Sequence, residues 1–119
     1  MSAIPEAQIC ACYEAAGRVL RNGEPKPKLA DYVSRSTGMD AGSARIYIDA
    51  VVSLVQRGTL GRDISTFARR SFLDWIARDY GADALARALC AYRKRDEWLK
   101  LHGHSYGTYT KIADEYSQS

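Results

Sequence analysis

At 119 residues, with 46% hydrophobic and 26% charged residues, the chain has the composition of one globular domain with a modest core. A formal net charge of +3 biases it mildly toward anionic partners, far from the strongly basic balance that would settle the matter. No window approaches the ~20 apolar residues of a membrane helix, and the opening MSAIPEAQICACYEAAG lacks the basic region and apolar block of a targeting peptide. A cytoplasmic protein without a membrane partner is expected.

Pro5 and Glu6 suit a first helical turn, and Ile9, Tyr13, Ala16 and Leu20 follow at steps of four, three and four. Gly23 predicts the end of this helix, because Pro25 and Pro27 forbid its continuation. Cys10 and Cys12 lie on it two residues apart, where side chains diverge, so both read as small buried hydrophobes and not as metal ligands. With Cys90 they make an odd count without a secretion signal, which argues for reduced thiols.

Leu29, Tyr32 and Val33 predict a second helix over LADYVSRSTG, with Gly38 as its stop. In the third, Ala44, Tyr47, Ile48, Val51, Leu54 and Val55 share one face. Asp40 or Ser43 is its N-cap and Gly58 its C-cap. After TLGRDIS, the one stretch with a hint of strand, Ser65 caps a fourth helix with Ala68, Phe72, Trp75, Ile76 and Tyr80 inward, closed by Gly81. A fifth carries Leu85, Ala88, Leu89 and Tyr92 inward, followed by Leu99. Tyr109, Ile112 and Tyr116 are spaced for a short docking helix in the tail, about 104–119. The expected fold is all-α, one domain over 1–119, a compact bundle of five to six helices.

Catalytic chemistry finds little here. His102 and His104 form His-x-His in a glycine-containing loop with no adjoining cysteine or acidic cluster, which reads as solvated loop and not a zinc site. Asp96 and Glu97 are consecutive and diverge on a helix. Nucleotide-loop and hydrolase-elbow motifs are absent from the sequence. A nonenzymatic protein without cofactor or metal is expected.

Positive charge is more informative. Residues 57–70 hold Arg57, Arg62, Arg69 and Arg70 against Asp63; residues 87–100 hold Arg87, Arg93, Lys94, Arg95 and Lys100 against Asp96 and Glu97. An antiparallel hairpin of the fourth and fifth helices would set Arg69 and Arg70 beside Arg93 to Arg95, a patch suited to phosphate. A solvated helix face is the equal alternative.

STGMDAGSARIYIDAVVSLVQRG poses a sharper question: a DNA-reading helix-turn-helix, or a corner between packed helices. Gly38 takes the turn position and Met39 a core position, and the reading helix would offer Ser43, Arg45, Asp49, Ser53 and Gln56. Ser34 stands where a small apolar residue is usual, and Asp49 would oppose a DNA backbone.

Residues 43–100 resemble a helical module on the N-terminal side of some bacterial HNH-type nucleases, through Ser43-Ala44, Gly58, Arg62, Ile64-Ser65, FLDWIARDYG and LARALCAY. The resemblance implies an accessory role in nucleic-acid recognition beside a nuclease; the nuclease motif itself is missing. The leading expectation is a DNA-binding protein using Ser43, Arg45, Gln56, Arg57, Arg62, Arg69, Arg70, Arg93, Lys94 and Arg95. The alternative is a bacterial or phage interaction module, an inhibitor or adaptor of a nuclease or defence protein, suggested by eight Tyr and two Trp in so small a chain. Ile46, Ala50 and Val52 widen the apolar stripe of the third helix, and Trp98 and Leu101 extend the fifth, which also suggests a homodimer.

Overall fold

The computed structural model describes residues 4–117, and these are all-α. The helices are α1 (Glu6–Asn22), α2 (Lys26–Thr37), α3 (Ala41–Gln56), α4 (Thr66–Leu101) and α5 (Thr108–Ser117). No strand occurs among the described residues, and TLGRDIS is a loop with Leu60 and Ile64 turned into the core. The chain divides into two compact units, one ending at Val52 and the other starting at Ser53, so that the boundary falls inside α3.

In the first unit, α1 buries Ile9, Cys12, Tyr13 and Ala16, the i, i+3, i+4, i+7 pattern of one helical face. Leu20, expected on that face, is only half-buried, and Cys10 is exposed where a buried hydrophobe was expected. The divergence of residues two apart explains the second difference: once Cys12 faces inward, Cys10 faces water. Gly23 caps the helix in the left-handed region, and a fork from Arg18 to Glu24 at 2.8 and 2.7 Å braces the turn.

The prolines do more than stop α1. Pro25 is the N-cap residue of α2 and Pro27 sits in its first turn, where no intrahelical N–H is needed. The helix therefore starts three residues before the periodic run. Its buried face is Leu29, Ala30 and Val33; Tyr32, expected inward, is exposed and lies under the guanidinium of Arg18. Leu29 and Val33 leave room for Ala30 on one flank, which turns Tyr32 off the other edge. Gly38 then caps α2, Met39 is buried against the Cys12 sulfur at 3.5 Å, and Asp40 caps α3 by accepting from the Ser43 N–H at 3.0 Å.

In the second unit, α3 ends in a glycine that the packing demands. Gly58 has φ 65° and is buried, and a Cβ there would stand 3.2 Å from the Arg87 carbonyl oxygen. Arg87 itself donates from Nε to the Val55 carbonyl at 2.9 Å, satisfying one of the orphan acceptors at the end of α3. Ser65 caps α4 by accepting from the Ala68 N–H at 3.2 Å.

α4 is two helices joined at a kink. At Gly81 (φ 87°, ψ −177°) the backbone adopts a conformation that is essentially glycine's alone, and the helix folds into two arms, 66–80 and 82–101. Counting the arms separately gives six helical segments. The arms run back along each other, as the hydrogen bond from the Tyr92 hydroxyl to the Arg69 carbonyl at 2.7 Å requires. Ala84, Ala88 and Ala91 are buried on the second arm, while Leu85 and Leu89, expected inward, flank the seam half-buried. Small residues at the seam let the arms approach closely. Cys90 lies on the exposed side.

The tail docks as a helix. Tyr109, Ile112 and Ala113 of α5 are buried, and the Tyr109 ring meets Tyr92 edge to face at 5.2 Å. Gly107, whose carbonyl takes the first helical bond from Lys111, has no side chain for capping. Asp96 of α4 supplies the cap, with Oδ2 accepting from the Thr110 N–H at 2.7 Å. Tyr116 is half-buried and donates to Asp74 at 2.8 Å.

Candidate nucleic-acid interface

Two sets of basic residues must be separated: those spent inside the fold and those still open to a ligand. The hairpin in α4 does bring the second half of the expected patch together. Yet α5 and the 57–65 loop bring counter-charges to the same place.

Arg69 is the most enclosed by neutral groups. Its Nε donates to the Ile64 carbonyl at 2.9 Å, its Nη1 to Thr108 Oγ1 at 2.8 Å, and its guanidinium lies 3.9 Å from the centroid of Tyr109. Arg70 pairs with Glu115, which holds that carboxyl below its ordinary range chiefly through the hydrogen bond. Arg93 donates to Asp114 at 2.7 Å and to Ser117 Oγ at 3.3 Å. Arg95 is 9% exposed, donates to Asp63 at 3.0 Å and to the Gly61 carbonyl at 3.3 Å, and covers Trp98 at 4.6 Å. Three of these guanidinium groups thus face three carboxylates.

The remaining expected residues have no such partners. Arg57, Arg62 and Lys94 are exposed and carry no ion pair or side-chain hydrogen bond among the described residues. Lys94 borders a cleft of about 260 Å³ together with Thr59, Leu60, Gly61, Arg95 and Trp98. Gln56 is exposed at the end of α3. In the first unit, Arg45 is exposed and without a side-chain partner among the described residues, and Ser43 is half-buried in the first turn of α3. Asp49, the acid expected to oppose a DNA backbone, is paired with Lys26.

Four features of this surface escaped the sequence reading. The acids Asp63, Asp114 and Glu115 lie far along the chain from the arginines they meet, and only the docking of α5 and the fold of the 57–65 loop reveal the pairing. His102 and His104 are exposed but not merely solvated: their rings stack on Trp98, with centroids at 4.0 and 5.8 Å, and His102 Nδ1 lies 2.8 Å from the Trp98 carbonyl. The i, i+4 spacing of Trp98 and His102 is the signal that could have found the nearer pair. Asp96 and Glu97 do diverge, one buried and one exposed, although both border a second cleft. Asp96 also leaves Oδ1 buried without a hydrogen-bond partner among the described residues.

No group of histidine, cysteine or carboxylate side chains suited to a metal occurs among the described residues. None of their helices is long and apolar enough to cross a membrane. Compared with known proteins, the chain matches no family model, no curated sequence and no solved structure.

Proposed function

We propose that this is a nonenzymatic DNA-binding protein in which the corner between α2 and α3 serves as a helix-turn-helix and exposed cations of the second unit anchor phosphate. One observation carries the reading: the three-residue turn Gly38-Met39-Asp40 joins two capped helices, Met39 plugs the core, and Arg45 stands exposed and uncommitted one turn into α3. An arginine there suits bidentate contact with a guanine edge. The pairing of Asp49 with Lys26 lessens the repulsion that this acid would offer a DNA backbone. The resemblance of residues 43–100 to a helical module beside HNH-type nucleases suits an accessory role in nucleic-acid recognition beside a nuclease.

Phosphate contacts are reassigned within the expected set. Arg57, Arg62 and Lys94 can meet a polyanion without breaking anything, whereas Arg70, Arg93 and Arg95 must first leave a carboxylate. Fluorescence anisotropy with duplex DNA tests the reading. Binding should weaken linearly in log–log against salt, and Arg45→Ala should alter preference between sequences more than overall affinity. Absent or salt-independent binding at micromolar protein would refute it.

A second reading, an interaction module that docks on a nuclease or defence protein, is favoured by a specific observation. Trp98, Leu101, Tyr106 and Tyr32 are large and exposed, at 43, 83, 55 and 58%. Trp and Tyr side chains such as three of these are common binding hot spots. Affinity capture from the native host decides between the two: a stoichiometric protein partner supports the module, and DNA alone supports the first reading.

A further inference from the structure

Asp96 has one oxygen too many for its structural task. Its Oδ2 caps α5 through Thr110, and that requirement explains why an acid sits at this position at all. The other oxygen, Oδ1, is buried and meets no hydrogen-bond donor among the described residues, and the residue as a whole is 5% exposed. A buried carboxylate oxygen without a donor is costly, and a donor brought by a ligand would relieve that cost.

Asp96 borders a cleft of about 380 Å³ between the second arm of α4 and the start of α5. Glu97 adds a second carboxylate to the lining and Tyr106 an aromatic ring. The ring already takes one cation, since the Lys100 ammonium lies 5.5 Å from its centroid. Arg93 also borders the cleft, but its charge is answered by Asp114. The cleft therefore combines two acids and a π-face with one uncompensated lysine, which favours a cation over an anion.

We infer that this cleft receives the guanidinium of an arginine side chain from a partner polypeptide, with Asp96 Oδ1 as the inner acceptor, Glu97 at the rim and Tyr106 as the stacking face. Arginine fits better than lysine because its planar fork both stacks on a ring and donates to a carboxylate. A peptide fits better than a small cation because Leu101, 83% exposed, stands one helical turn from Glu97 at the rim and offers an apolar contact to the flanking chain. The inference goes beyond DNA binding and does not depend on it.

The test uses the full chain and the peptide acetyl-Gly-Arg-Gly-amide, followed by ¹H–¹⁵N NMR. Saturable shifts are expected at the Thr110 backbone amide and near Tyr106. The same peptide with citrulline in place of arginine should bind about tenfold more weakly or worse, because it lacks the charge. Asp96→Asn keeps an oxygen for the Thr110 N–H and should lower affinity by a similar factor. If that variant does not fold, Glu97→Gln and Tyr106→Ala at the rim should each weaken the peptide. Overturning results are no saturable shift at millimolar peptide, equal binding of the citrulline peptide, or a crystal structure in which water alone meets Oδ1 at saturating peptide. Self-association that the peptide reverses would assign the cleft to a second copy of this chain and overturn the partner.

Discussion

Gly58 and Cys12 show how a single position can be judged by what surrounds it. At Gly58 a side chain would meet both a left-handed backbone and the Arg87 carbonyl. Gly58→Ala should therefore cost roughly 1–3 kcal/mol, read as a lower midpoint in urea unfolding with an unchanged slope. Burial pushes the Cys12 thiol up to about 12, while Cys10 and Cys90 are exposed. At pH 8, then, two thiols should react rapidly with a disulfide reagent and Cys12 only on unfolding. Rapid reaction of all three in the native protein would contradict the packing of Cys12 against Met39. The sign of the pH effect also follows: a raised folded-state value favours the neutral thiol, so this contribution is complete below the ordinary thiol range and declines as pH rises toward 12.

Among the elements, α5 depends most on groups brought from elsewhere. Tyr109 and Ile112 are its apolar anchors, each contributing on the order of 1.5–3 kcal/mol by burial. Around them lie the cap from Asp96 and the pairs Arg70–Glu115 and Arg93–Asp114. The Glu115 carboxyl is held below its ordinary range by Arg70. Its stabilising contribution is present above that ordinary range and is lost as pH falls through the lowered folded-state value. Glu115→Gln should flatten the acid limb of a stability-versus-pH curve from denaturant titrations; an unaltered limb would mean that the pair is idle. At the alkaline end, burial pushes Tyr109 up to about 12, so its neutral form holds α5 below the ordinary tyrosine range and loosens it as pH climbs further. Tyr109→Phe keeps the ring but removes the hydroxyl that accepts from Ile64 at 3.0 Å and donates to Asp63 at 3.3 Å.

For the whole molecule, the count of available cations matters more than the formal charge. If Arg57, Arg62 and Lys94 contact phosphate, replacing any one with alanine should reduce the salt slope of DNA binding by about 0.9 and weaken all sequences alike. Arg70→Ala should leave that slope nearly unchanged, because Arg70 already answers Glu115. Equal losses from all four would return the patch to the form first expected. The case for a homodimer also changes. Ala50 and Val52, which widened the apolar stripe of α3, are both buried within the chain, and Ile46 is half-buried. Trp98 and Leu101 remain exposed as motives for self-association. Light scattering over a concentration series should hold at 13.2 kDa if the α3 stripe, now covered within the chain, was the only ground for a dimer, and a Trp98→Glu variant would locate any dimer that forms.

Local information in the chain determined its all-α class, its helix stops and most of its buried positions. Gly23, Gly38, Gly58 and Gly81 all take positive φ, and the periodic residues of α3 are buried as a set. Such features depend on spacing and on backbone freedom, which neighbours in sequence dictate. Tertiary structure alone decided which charges remain available. Arg70 meets Glu115 and Arg95 meets Asp63 across long stretches of chain, and Asp96, half of a dipeptide with no chemical promise on a helix, became both a cap and an unpaired acceptor. The physical reason is that helical periodicity assigns a residue to a face, whereas the state of a charge depends on which other element that face comes to meet.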